Sequence, residues 1–368
     1  MVSTADPAPV HVSCIGAIPA LTKSPVLVHI GAPKTATTAL QDLFVLQKHC
    51  VSVAKPTYQD QDLYAVLRWA IRADMTHPLP SASVLQRAGC FLQKVENGRT
   101  LILSDEGLSS SRAADRRVML HRIKRLFPDA SLLYTIRNQF DALESAYFYF
   151  GRSNVRLDRP PSFNQWLYDS FRQIGYPTIL NYGELVAAAE AEFGREKLIV
   201  VPIESFGRDL RRFVHLMQKK GWPLEWPSGP FSPEPNRRPS RLYASLQERF
   251  AGRAALAMAN AAVYALGRLH IVPNVAFQNT RLGNALRNGG PAATVQWSSA
   301  ERAMVCRLYA ESNGWLSSSY ELGLDGLGYP VQASTERAIR QADWPDAMEN
   351  LYDVPVRPPR SAAAATGK

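Results

Sequence analysis

Short apolar runs alternate with segments of helical period along most of this chain, and that alternation restricts the fold more than any other feature. "VLVHIG" (26–31), "TLILSDE" (100–106), "SLLYTIRN" (131–138) and "KLIVVPIESF" (197–206) read as strands. Between and after them, 35–47, 61–72, 83–96, 113–126 and 206–220 have helical spacing, as do "QFDALESAYFYF" with its aromatic stripe and the amphipathic "YGELVAAAEAEFG". Two Arg- and Ala-rich helical segments are expected at about 240–268 and 298–322. Strands separated by helices are the mark of βαβ units. The pattern therefore predicts an α/β protein with a central parallel sheet, helices on both faces and a helical C-terminal portion.

Composition narrows the class further. An apolar share of 46% and a charged share of 20% are ordinary for a globular chain. No run of 18 apolar residues occurs, so a spanning helix is not expected. Residues 1–24 read as a loose leader without the basic start of a signal peptide. The tail 356–368 reads as disordered. No repeat or linker forces a cut between them, which leaves 25–325 as one domain. Cys14, Cys50, Cys90 and Cys306 form no CxxC pair and the seven His show no ligand spacing, so neither a disulfide framework nor a metal site is expected. A reducing cytoplasm fits. The net charge of +10 suits an anionic ligand, nucleic acid or an acidic membrane surface without choosing among them. From Pro235 to Gly290 there are eight Arg against one acid, Glu248.

The first strand runs into "GAPKTATT". A strand–turn–helix with Gly31 at the turn and Lys34 after it gathers backbone N–H groups and an ammonium at a helix N-terminus, where an anion is favoured. Thr35, Thr37 and Thr38 add hydroxyls. A nucleoside-triphosphate loop would need G-x-x-x-x-G-K-[ST]. Here position 36 is Ala and 37 is Thr, and no Lys-Ser/Thr pair is present to hold Mg²⁺. The other reading is an ordinary helix start with a surface lysine. A second constellation follows the third strand, where Arg137 points at the crevice in which α/β sheets bind ligands. Ser145 follows eight residues on, and an Arg fork with a hydroxyl suits a separate phosphate. Pairing of Arg137 with Asp141 is the plainer alternative. His29 reads as a satisfied core histidine, and Tyr147, Phe148, Tyr149 and Phe150 as packing residues, one of which could stack on a ring.

Taken together, "PKTATTALQ" and "RNxxDxxxSxY" resemble the sulfotransferase family, which uses 3′-phosphoadenosine 5′-phosphosulfate (PAPS). "FGREKLIVVPIESF" and "ERAMVCRLYAESNGWLSSSYELG" are similar to further family segments, so the resemblance covers about 25–325. It implies a P-loop-type three-layer sandwich. Its PAPS-binding core would be 25–150 with 196–240, acceptor-side helices 151–195, and an Arg-rich segment 240–290. Pro33, Lys34, Thr35, Ala36, Thr37 and Thr38 would hold the 5′-phosphosulfate, and Arg137 and Ser145 the 3′-phosphate. Arg237 and Arg238 would belong to a basic loop closing over the cofactor, or to a solvated turn. Ala36 stands where the family more often has Gly, and Gln139 where Pro is usual. A phosphosulfate has no β,γ-phosphate pair for Mg²⁺ to bridge, which accounts for the missing lysine–hydroxyl pair.

The implied reaction is sulfuryl transfer to a hydroxyl of a carbohydrate or glycolipid, without metal, leaving adenosine 3′,5′-bisphosphate. Lys34 would steady the departing phosphate. Glu106 would be the base, with Asp105 its rival because one residue's shift reverses the facing of a side chain. Two other functions stay open. A kinase would use Asp105 on Mg²⁺ with ATP. A binding protein would use the Arg-rich face for anionic lipid or nucleic acid. The sulfotransferase reading expects no nucleic acid, and leaves room for a peripheral contact with the inner face of a membrane.

Overall fold

A computed structural model describes residues 24–32, 34–48, 50–54, 62, 63, 65, 66, 69, 81–96, 99–109, 113–151, 161–174, 176–207, 209–229, 231 and 293–332. Five strands form one sheet: β1 (Val26–Gly31), β2 (Cys50–Ala54), β3 (Thr100–Ser104), β4 (Ser131–Ile136) and β5 (Leu198–Pro202). Their order is β2-β3-β1-β4-β5, and every pair is parallel. Around it lie α1 (Thr37–Val45), α2 (Ala82–Glu96), α3 (Ala113–Leu126), α4 (Gln139–Ala146), α5 (Phe163–Asp169), α6 (Tyr182–Phe193), α7 (Leu210–Lys219) and α8 (Ser299–Tyr320). The α/β sandwich expected from the alternation is the fold observed.

The strands are predominantly apolar because both sheet faces are covered. Val26, Val28 and Ile30 of β1, with Leu101, Leu103, Leu132, Tyr134 and Val200, face a core built with α2, α3, α6 and α8. Leu27, Ile102, Leu133, Ile199 and Val201 take the alternate positions and face α1 and α7 through Leu40, Phe44, Phe213 and Met217. The period of two along each strand thus sorts the side chains into two cores. Ser298 and Glu301 close a capping box that starts α8. Among the described residues no helix is long and apolar enough to cross a membrane.

Element ends differ from the sequence reading for local reasons. The first helix begins at Thr37, not 35, because Ala36 is left-handed at φ 58°. The third run stops at Ile136 because Asn138 turns out of the sheet to cap α4, its Oδ1 accepting from the Phe140 N–H at 2.9 Å. The fourth run is strand only over Leu198–Pro202, and the helix after it starts at Leu210, where Asp209 accepts from the Arg211 N–H. The edge strand β2, "CVSVA", was not read from the sequence at all. The helical segment expected at 240–268, the leader and the tail lie outside the described residues.

Candidate functional site

The C-terminal ends of β1, β3 and β4 bring Gly31, Lys34, Asp105 and Arg137 to one rim of the sheet. The chain runs from β1 outward to β2, returns through β3, and crosses to β4 on the other side of β1, so the crevice opens beside the central strand. Gly31 ends β1 in register with Thr135 of β4. A Cβ on Gly31 would fall on the Thr37 hydroxyl, which explains the glycine. Lys34 and Ala36 both take positive φ, at 66° and 58°. Two left-handed residues in three wind the turn tightly onto α1, whose first turn has no side-chain cap. Orphan N–H groups at a helix start with no capping side chain are what an anion would occupy.

The three threonines have separate surroundings. Thr35 is fully buried, and its hydroxyl donates to the Ala32 carbonyl at 2.7 Å and lies 2.9 Å from Thr135 Oγ1. Thr37 is buried over Gly31, and Thr38 is exposed. Thr35 thus belongs to a network under the loop. His29 Nδ1 meets Ser104 Oγ at 2.8 Å and its Nε2 meets Thr135 Oγ1 at 3.1 Å, while Gln41 Nε2 donates to Ser104 Oγ at 3.2 Å. The imidazole stands edge-on to Phe44. Full burial pushes its pKa down to about 3, so it stays neutral. His29 ties β1 to both neighbouring strands, as a core histidine would.

Arg137 follows β4 and donates from Nη1 to the Lys34 carbonyl at 2.9 Å. This single bond joins the 31–38 loop to the segment after β4. The Arg137 carbonyl accepts from the Tyr182 hydroxyl at 2.8 Å. The Asn138 N–H donates to Glu204 Oε1 at 2.8 Å, and the Tyr329 hydroxyl donates to Glu204 Oε2 at 2.8 Å. Burial raises the Glu204 pKa, against the pull of those donors and of the Arg137 charge. The Asn138 amide donates to the Gly328 carbonyl. Gln139 is buried, and its side chain exchanges hydrogen bonds with Asn313 of α8 at 3.0 and 3.1 Å. A proline could make none of these, so Gln139 here anchors the motif to α8. Ser145 is half-buried on α4, seven residues and so about two turns beyond Asn138.

The Lys34 ammonium lies over Tyr149, 3.1 Å from the ring centroid, with Phe150 at 5.3 Å. Tyr147 and Phe148 are buried, whereas Tyr149 and Phe150 are exposed in a π-helical turn, Tyr147–Gly151, that continues α4. Asp105 leaves β3 half-buried, its carbonyl accepting from the Leu108 N–H. Glu106 begins the 3₁₀ turn Glu106–Ser109. Its side chain lies outside the described residues, as do Pro33, Arg237 and Arg238. No group of His, Cys, Asp and Glu able to hold a metal occurs among the described residues. Glu204 could have been singled out from "PIESF", the segment compared with the family, but Tyr182, Asn313 and Tyr329 carry no local signal.

No protein-family model matches the chain, and no curated protein matches it. Several solved structures are similar to it, three of them sulfotransferases or a sulfotransferase domain. A sulfotransferase from Alicyclobacillus acidocaldarius is 18% identical over 66% of this chain and 97% of its own, at a TM-score of 0.42. The sulfotransferase domain from the Synechococcus PCC 7002 olefin synthase is 14% identical over 69% and 91%, at 0.35. Mouse sulfotransferase SULT7A1 complexed with PAP is 12% identical over 80% and 86%, at 0.37.

Proposed function

We propose that this chain is a sulfotransferase that moves a sulfuryl group from PAPS to a hydroxyl of a carbohydrate or glycolipid. The observation that carries the reading is the Arg137–Lys34 hydrogen bond, which sets two separately placed anion motifs side by side at the mouth of the sheet. A ligand with two phosphate groups on one nucleoside needs such a pair, whereas a triphosphate tail needs one loop and Mg²⁺. In this reading the N–H groups of the 31–38 loop hold the 5′-phosphosulfate, and Lys34 neutralises charge as the phosphate leaves. Arg137 and Ser145 hold the 3′-phosphate. Glu106, or Asp105 beside it, accepts the proton of the acceptor hydroxyl. No metal takes part. The reaction belongs in the cytoplasm, and the Arg-rich stretch 237–287 motivates a peripheral contact with anionic membrane, to be read as salt-sensitive sedimentation with anionic vesicles.

Calorimetric titration with adenosine 3′,5′-bisphosphate and with Mg·ATP, on wild type and Arg137→Ala, tests the proposal. Bisphosphate binding that Arg137→Ala loses, with weak ATP binding, is expected. Preference for Mg·ATP, or indifference to Arg137, would favour a kinase. For the base, Glu106→Gln should lower turnover by about 10²–10⁴, and near-normal turnover would move the role to Asp105.

A further inference from the structure

Tyr149 and Phe150 are 47% and 49% exposed, while Tyr147 and Phe148, just before them in the same π-helical turn, are buried. Such turns are frequent at functional sites. The base of this one is rigid. Tyr147 packs against Phe163 and Trp166, with ring centroids 5.3 and 5.6 Å away. Gly151 closes the turn so near them that a Cβ there would come to 2.7 Å from both Tyr147 and Trp166. On this support the two outer rings stand at right angles to one another, 4.7 Å between centroids. What the structure sets against them is the Lys34 ammonium, 3.1 Å from the Tyr149 centroid and 5.3 Å from that of Phe150.

Residue 34 is thereby held at both ends. Its carbonyl accepts from Arg137 Nη1 at 2.9 Å, and its φ of 66° sets the direction in which the side chain leaves the loop. The stem between these points is flexible, and a lysine loses much rotamer freedom when its charge must sit in one place. An aromatic face attracts an ammonium through its quadrupole and meets it from one side, so the same ammonium can hold an anion on the other. We propose that Tyr149, backed by Phe150, is a positioning residue: its ring face fixes the Lys34 ammonium for the anion of the 31–38 loop. The ring does this, and the phenol hydroxyl is not required. Its part in sulfuryl transfer rests on the sulfotransferase reading; its grip on Lys34 does not.

The test compares full-length wild type, Tyr149→Phe and Tyr149→Leu, both substitutions falling on a half-exposed side chain. Sulfate release from PAPS is followed with water as the acceptor. Water attacks sulfur, the bond from sulfur to the 5′-phosphate oxygen breaks, and sulfate and adenosine 3′,5′-bisphosphate result. Tyr149→Leu should lower kcat about threefold to tenfold, between the worth of an exposed and of a desolvated cation–π contact, with KM for PAPS little changed. Tyr149→Phe should behave as wild type. NMR of the Lys34 Cε protons, assigned with Lys34→Ala, reads the grip directly. Ring-current shielding should be present in wild type and Tyr149→Phe and largely lost in Tyr149→Leu. Undiminished shielding or unchanged kcat in Tyr149→Leu, or a loss in Tyr149→Phe as deep as in Tyr149→Leu, overturns the proposal. So does a raised KM at unchanged kcat, which would make the ring a platform for ligand instead. If no protein releases sulfate, the sulfotransferase reading fails, and the shielding alone decides whether Tyr149 holds Lys34.

Discussion

The loop at 31–38 and the segment at 137–139 meet through one hydrogen bond, yet they are held in opposite ways. The loop rests on its own neighbourhood. Thr35 bonds back to Ala32, Thr37 closes over Gly31, and Thr135 on the adjacent strand completes the set. The Arg137 segment is held from far away in the chain, by Glu204 beyond β5, Asn313 on α8, and Gly328 and Tyr329 after it. A phosphate loop is a local device that survives wherever its strand and helix survive. A clamp assembled from distant pieces works only while the C-terminal part is docked, and the two halves should therefore respond differently to mutation.

The largest effect should come from the loop itself. Lys34→Ala is expected to lower turnover by about 10²–10³, the scale of removing one donor aimed at developing charge. Bisphosphate affinity should change less, because in the proposed reaction Lys34 acts on the bond being broken. Rate assays beside calorimetry read both, and an equal loss in each would make Lys34 a binding residue only.

The buried network beneath the loop should show itself through pH. His29 titrates at about 3 when folded against an ordinary 6.5. A depressed histidine pKa favours the neutral form, so its contribution is complete above 6.5 and is lost as pH falls towards 3. By pH 5 the loss is about 2 kcal/mol, from 1.4 kcal/mol per unit. Denaturant unfolding at pH 7.5 and 5 should show that decline in wild type and its absence in His29→Gln. An identical decline in both would place the acid sensitivity elsewhere.

Tyr329→Phe probes the distant half. It removes one donor to Glu204 and touches neither anion motif. If the clamp depends on C-terminal docking, bisphosphate affinity should fall about threefold to tenfold, the worth of one ordinary hydrogen bond. Thermal unfolding of the free protein distinguishes a local loosening from general destabilisation. Unchanged affinity would mean that Arg137 is positioned by the loop alone.

The same contrast explains what could be read from the sequence. Layering was legible because two-sided burial makes β1, β3, β4 and β5 predominantly apolar, and the helices between them keep their own period. Lys34 and Arg137 were legible because strand ends gather at one rim. β2 was not, since "CVSVA" holds only two bulky apolar residues, against three or more in each of the other strands. Nor could Tyr329 or Asn313 be found, because nothing near either residue reports a partner more than 100 positions away. The fate of the aromatic run was also hidden. A uniform stripe does not reveal that a π turn leaves Tyr147 in the core and sends Tyr149 out to Lys34.

Ala36 offers the smallest and sharpest test of how far the loop is self-sufficient. Its φ of 58° is open to glycine without penalty but disfavours alanine by about 1–2 kcal/mol. Glycine, in turn, has more freedom to lose on folding, about 0.4–1 kcal/mol. The balance predicts that Ala36→Gly stabilises the protein by about 0.5–1 kcal/mol, measured by denaturant unfolding at neutral pH. Bisphosphate affinity should stay the same, because Gly31, Thr35 and Thr37 already fix the turn on both sides of residue 36. A more stable protein that binds less tightly would show that alanine's strain is part of how the loop presents its N–H groups, and the loop would then be no more autonomous than the clamp it meets.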